Sequence, residues 1–184
     1  MRLKTICAAV TAAFLFFAGS ACAQEMDAAL MRNWLGQFAD ALNMLSPLND
    51  PSQTVDPARP GEYLIEYEFG TVTAATAQTP SAEDILEIDV RTQQVTDCRG
   101  MRVGATLEEA LGGTQIPRTD ANLSVLSIQE SGIGWCWAYL SGQQVYGVEW
   151  MTYDTQDMTD VKEYTLTYIL SQDETVRAIR IKKA

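Results

Sequence analysis

Apolar residues recur at spacings of three and four near the start of the chain, at Leu30, Met31, Trp34, Leu35, Phe38, Leu42 and Leu45. That period lays one apolar stripe along a helix, with Arg32, Asn33, Gln37 and Asp40 falling largely between its members. The spacing predicts a helix over residues 27–45, ended at Asn43 and Ser46-Pro47 because proline cannot continue the hydrogen-bond ladder. A stripe bearing Met and Trp suits a partner helix. Docking onto the protein's own sheet is the simpler expectation, since lone surface helices draw their stability from tertiary packing. Residues 46–61 hold four prolines among Asn, Asp, Ser and Gly, the composition of a linker with no packed structure of its own.

From residue 62 the apolar period changes to two. Tyr63, Ile65, Tyr67 and Phe69 alternate with Leu64, Glu66 and Glu68, and Gly70 marks a bend or bulge within one β-patterned stretch over 62–75. A loop around Pro80 precedes a strand over 84–91, with Leu86, Ile88 and Val90 on one face and acidic residues on a solvated one. The stretch Val95 to Gly112 then runs from a strand end through Gly100 and Gly104 into a short helix. Thr106 and Glu109 have the spacing of a capping box, Leu107, Ala110 and Leu111 form a small apolar face, and Gly112-Gly113 stop the helix. Strands follow over 123–128, 134–140 and 143–152, then a closing hairpin of 162–170 and 175–182. A two-residue turn at Ser141-Gly142 sets Trp137 opposite Tyr146 and Trp135 opposite Val148, with Trp150 further along the same side and Cys136 on the other face, across from Gly147.

These elements predict an α+β fold: an antiparallel sheet of about six or seven strands, with one long N-terminal helix and one short capped helix packed on one face. The domain reading is a signal peptide at 1–23, an N-terminal amphipathic helix at 24–45, a linker at 46–61 and an α+β domain at 62–184, with 24–184 as one folded unit.

The signal reading rests on Arg2 and Lys4, the apolar run Ile6 to Phe17, and the cleavage pattern Ala21-Cys22-Ala23. The run falls short of the roughly 20 residues that span a bilayer, so a retained anchor is the lesser alternative. Lipidation of Cys22 is a second alternative, although Gly19 stands where such signals carry Leu. Cleavage leaves 161 residues and removes two basic groups, taking the net charge from −11 to −13. That charge argues against nucleic acid and anionic lipid surfaces as partners. It also leaves Cys98 and Cys136, which in an exported chain read as one disulfide closing a loop of about 40 residues and worth about 2–4 kcal/mol. Two reduced thiols are the alternative.

The run DILEIDVRTQQVTDCRGMRVGATLEEALGG resembles a pattern in exported proteins of Gram-positive anaerobes. In those, a strand leads into R-G-x-x-V-G and a Thr- or Ser-capped helix, and the similarity extends over residues 60–182. A looser likeness, confined to about Gly104 to Gly113 and the strands after it, is to the small outer-membrane-assembly lipoproteins and β-lactamase inhibitory protein. The proline that follows the glycine in the lipoproteins stands here only at Pro117. These resemblances imply a helix-plus-antiparallel-sheet layer that binds proteins without catalysis. Their shared motif is structural, so it carries no functional residues to this chain.

The chain has no histidine, which removes His-based triads, Cys–His pairs and His-ligated metal sites. It also lacks a phosphate loop, a dinucleotide fingerprint and an S-x-x-K motif. No catalytic, cofactor-binding or metal-ligating residue is assigned. Asp154, Asp157 and Asp160 suit calcium by ligand type but lack the Gly and terminal Glu of a calcium loop. Trp135, Trp137, Tyr139, Tyr146 and Trp150 form the candidate ligand face, a flat surface for a sugar or a peptide. The expectation set against it is that these five line the core under the helices. The function expected is non-catalytic binding of a protein or cell-envelope component outside the cytoplasm. A carbohydrate-binding module and a carboxylate-dependent hydrolase are the alternatives.

Overall fold

The computed structural model describes residues 28–51, 59–112, 116, 125–130, 134–153 and 162–184. The signal segment, Cys22, most of the linker, and Asp154, Asp157 and Asp160 lie outside the described residues. The helical stripe becomes α1 (Ala28–Leu42), which buries Met31, Trp34, Leu35, Phe38, Ala39 and Leu42. Trp34 stacks on Phe38 at 4.9 Å, and Phe38 meets Phe69 edge-on at 5.5 Å. The Trp34 indole N–H donates to the Thr96 carbonyl at 2.9 Å, and Arg32 forks onto the Glu163 carboxylate. The described residues contain no helix long and apolar enough to cross a membrane.

The strands are β1 (Tyr63–Tyr67), β2 (Gly70–Ala74), β3 (Ile85–Val90), β4 (Val125–Glu130), β5 (Gly134–Ser141), β6 (Gln144–Tyr153), β7 (Lys162–Leu170) and β8 (Val176–Lys183). They form one antiparallel sheet in the order β1-β2-β3-β8-β7-β6-β5-β4. The stretch 62–75 yields two of these strands, because the chain reverses at Glu68-Phe69 and pairs Tyr67 with Gly70. Gly70 has φ 148°, and a Cβ there would lie 1.9 Å from the Asp89 carbonyl oxygen. Only glycine lets β2 approach β3 so closely. The last strand in sequence, β8, lies in the middle of the sheet and is the link between β3 and β7.

One sheet face is the core. Across the strands it carries Ile65, Val72, Ile88, Ile181, Leu166, Trp150 and Cys136 in one row, and Val90, Ile179, Tyr168, Val148 and Ala138 in the next. All are buried, in one cluster with the inward residues of α1 and of α2 (Leu107–Ala110). Thr106 caps α2: its hydroxyl accepts the Glu109 N–H at 3.2 Å, and Glu109 Oε2 accepts the Thr106 N–H at 2.7 Å. The first residues of the 46–61 stretch are hydrogen-bonded to β1. Leu48 N–H donates to the Glu66 carbonyl, and the Asn49 side chain bonds both the Leu64 carbonyl and the Glu66 N–H at 2.9 Å. A proline-rich composition did not exclude this, because a single Asn side chain can mimic a strand's backbone groups.

The predicted β5–β6 register does not occur. Ser141 pairs with Gln144 around Gly142-Gln143, and a bulge beside Tyr139 and Leu140 moves the pairing again, so that Trp137 faces Glu149 and Tyr139 faces Gly147. Gly142 has φ 64°, the sign that a type II′ turn requires at its first central residue. Because side chains alternate between faces, this shift redistributes the aromatic residues between core and solvent.

Candidate functional site

Two groups of chemically capable residues come together, one on each side of the sheet. Inside, the turn 97–101 folds around the Asp97 carboxylate. Oδ1 accepts the N–H groups of Arg99 at 2.9 Å and Met101 at 2.8 Å, and Oδ2 accepts the Tyr168 hydroxyl at 2.8 Å. Arg99 lies 4.0 Å over the Trp150 ring and donates to the Ala110 carbonyl, which also accepts the Trp150 indole N–H. Burial raises the Asp97 carboxyl above its ordinary range, against the hydrogen bonds from Tyr168, Met101 and Arg99. Burial, and then the Asp97 charge, pushes Tyr168 and the Cys98 thiol well up. Asp97 is 3 % exposed and Tyr168 fully buried, so no substrate reaches this pair. It ties the turn to the centre of the sheet.

Only part of this network has a signal in the sequence. Asp97 two residues before an Arg-Gly turn is a local signal for a side chain bonding its own backbone. Tyr168, 71 residues away, left no local trace.

Outside, the second sheet face carries a straight row across all eight strands: Glu66, Thr71, Asp89, Arg180, Thr167, Glu149, Trp137 and Ser127. Its two ends differ in chemistry. Toward β3 and β8 the charges pair: Arg180 bridges Glu87 at 3.3 Å and Asp89 at 3.1 Å, Arg91 meets Asp89, and Arg59 meets Glu62 and Glu87. A shallow depression of about 150 Å³ beside these pairs, lined by Arg59, Glu87 and Lys182 among others, is smaller than a typical small-molecule site of roughly 300–1,000 Å³. Toward β4–β6 the face is aromatic. Trp137 and Tyr139 are half-buried, Tyr146 is 48 % exposed, and the Tyr139 and Tyr146 rings lie 6.1 Å apart. Partial burial raises the Tyr139 hydroxyl, with the charge and hydrogen bonding of Glu149 adding to it.

The five-residue aromatic set is therefore divided. Trp137, Tyr139 and Tyr146 stand on the open face, not in the core. Trp150 is 2 % exposed, paired with Cys136 beneath the helices. The backbone of Trp135 pairs with Gln129, and its side chain lies outside the described part. The expected disulfide does not form, and Cys98 and Cys136 are both thiols. Cys136 points into the core from β5, on the face opposite Trp137 and across from Trp150 rather than the expected Gly147, while Cys98 sits in the turn that Asp97 closes. Among the described residues no three His, Cys, Asp or Glu side chains gather in a way that could hold a metal ion.

Fold and surface together define an antiparallel sheet protein with two helices, one sheet face apolar and the other mixed aromatic and ionic. No family model matches the chain, and neither a curated protein nor a solved structure matches it.

Proposed function

We propose that the protein is a non-catalytic binding protein, acting outside the cytoplasm, that engages a protein or cell-envelope component through its open sheet face. One observation carries this reading. The sheet is eight strands wide, and both described helices pack on the same side of it. Half-buried aromatic rings with polar tips on the other side are the residue types enriched where proteins meet. The export pattern at 1–23 and the resemblance to protein-binding helix–sheet modules support the location and the lack of chemistry.

The carbohydrate alternative has less support. With Trp150 in the core the aromatic row is shorter, and Tyr139 and Tyr146 are tilted 36° to one another rather than forming a flat platform. The hydrolase alternative needs two carboxyl groups flanking a substrate in a cleft. Glu87 and Asp89 instead share Arg180 on the open face.

A photo-cross-linking amino acid at Thr167 or Ser127, on the open face, compared with one at Gln37 or Asp40, on exposed positions of α1, tests the reading on intact cells. Protein adducts from the open-face positions alone are expected. Adducts confined to Gln37 and Asp40, or none at all, would sink it; polysaccharide adducts from Thr167 would move the assignment to the sugar alternative.

A further inference from the structure

The open face pairs its charges at one end and leaves a carboxylate among aromatic rings at the other. Resting on the reading of this face as a binding surface, we propose that its β4–β6 end docks a basic segment of a partner protein. A lysine or arginine side chain would sit between the Glu149 carboxylate and the rings of Trp137, Tyr139 and Tyr146.

The arrangement follows from register. Glu149 lies directly across from Trp137, and Tyr139 is the next residue along β5 on the same face. Tyr146, at the bulge, extends the group past Tyr139, with its ring 6.1 Å from that of Tyr139. Thr167 separates Glu149 from Arg180, two strand spacings or roughly 9.5 Å away. Arg180 is already held by Glu87 and Asp89, Arg91 by Asp89, and Arg59 by Glu62 and Glu87. Among the described residues, Glu149 shares a hydrogen bond with Tyr139 and forms no ion pair with a lysine or arginine. A cation over an aromatic ring is attracted by the ring's negative face, and a carboxylate beside it adds direct Coulomb attraction. The protein uses this contact internally, with Arg99 4.0 Å over Trp150. The net charge of −11 steers basic partners toward the molecule and acidic ones away.

Fluorine NMR of the protein labelled with 5-fluorotryptophan, with the Trp137 resonance assigned through Trp137→Phe, tests the inference using hexalysine as probe and hexaglutamate as control. Hexalysine is expected to move the Trp137 resonance while those of buried Trp34 and Trp150 stay in place. Glu149→Gln should weaken hexalysine binding roughly threefold or more. Glu108→Gln, an equal charge change on the helical side, should leave it unchanged. An unmoved Trp137 resonance, or equal loss in both variants, overturns the proposal. If Thr167 cross-links to a partner while hexalysine leaves Trp137 unmoved, the face binds by other chemistry and this inference alone falls.

Discussion

Asp97 is an acid that the protein buries beside a phenol. Its carboxylate accepts three hydrogen bonds, yet burial is the larger effect and raises its pKa. Stability from a raised group is fully present below its unfolded value and is lost as pH rises through the folded value. Asp97 therefore favours the folded state most in acid. Relative to Asp97→Asn, which cannot ionise, the wild-type protein should lose unfolding free energy as pH climbs from about 4 and then level off. Urea denaturation at a series of pH values reads the difference between the two. A difference that grows with pH would mean that the hydrogen bonds outweigh burial. Tyr168→Phe removes the one side-chain donor to this carboxylate and should cost about 1–3 kcal/mol at neutral pH; a change within error of zero would show that water replaces the hydroxyl. Asp97 sits in a stretch that the sequence marks plainly with two glycines and a cap. Its partner was not legible, because a tyrosine on a β-patterned strand reads only as an apolar residue of that strand.

The elements show the same division. The stripe of α1 is written in the sequence because a helix brings residues three and four apart onto one side, whatever lies beyond it. The alternation over 62–75 fits one bent strand as well as the hairpin of β1 and β2, since Gly70 alone does not say whether a chain bends or reverses. Gly70→Ala should cost about 3 kcal/mol or more, through the positive φ and the collision with the Asp89 carbonyl. Thermal denaturation measures it, and an unchanged midpoint would mean that the close approach of β2 to β3 is not maintained in solution. At the sheet edge, Asn49 occupies backbone groups of β1 that would otherwise be open to another strand. Asn49→Ala is expected to increase self-association, seen as larger species in light scattering at matched concentration; a monodisperse variant would assign the edge no such protection. The aromatic set divides between the two faces for a related reason. A hairpin turn one position away from the expected one, followed by a bulge, carries Trp150 to the core and leaves Trp137 outside.

In the whole molecule, two groups of strands depend on β8. β8 lies between β3 and β7, and buries Val176, Ile179 and Ile181. Removing residues 176–184 should abolish cooperative unfolding, because neither half can then cover its apolar face; a truncated chain with a sharp thermal transition would contradict this. The thiols give a second test at this level. The protein from Gln24 onward should titrate two thiols with Ellman's reagent after denaturation, with the same electrophoretic mobility with and without reductant. A reductant-dependent shift would restore the disulfide.

The sequence by itself determined what depends on neighbours along the chain. It set the helical stripe, the alternation of the strands, the capped turn after Gly104, the strong acidity and the absence of histidine chemistry, because each is a property of residue type or of a short period. Only the tertiary structure decided which face of each strand is covered, that Cys98 and Cys136 stay apart, that Tyr168 meets Asp97, and that Glu149 stands across from Trp137 and beside Tyr139. Those outcomes depend on strand order and register. A sheet that places its final strand in the middle brings together residues far apart in sequence, and a one-residue slip at a bulge exchanges core for surface.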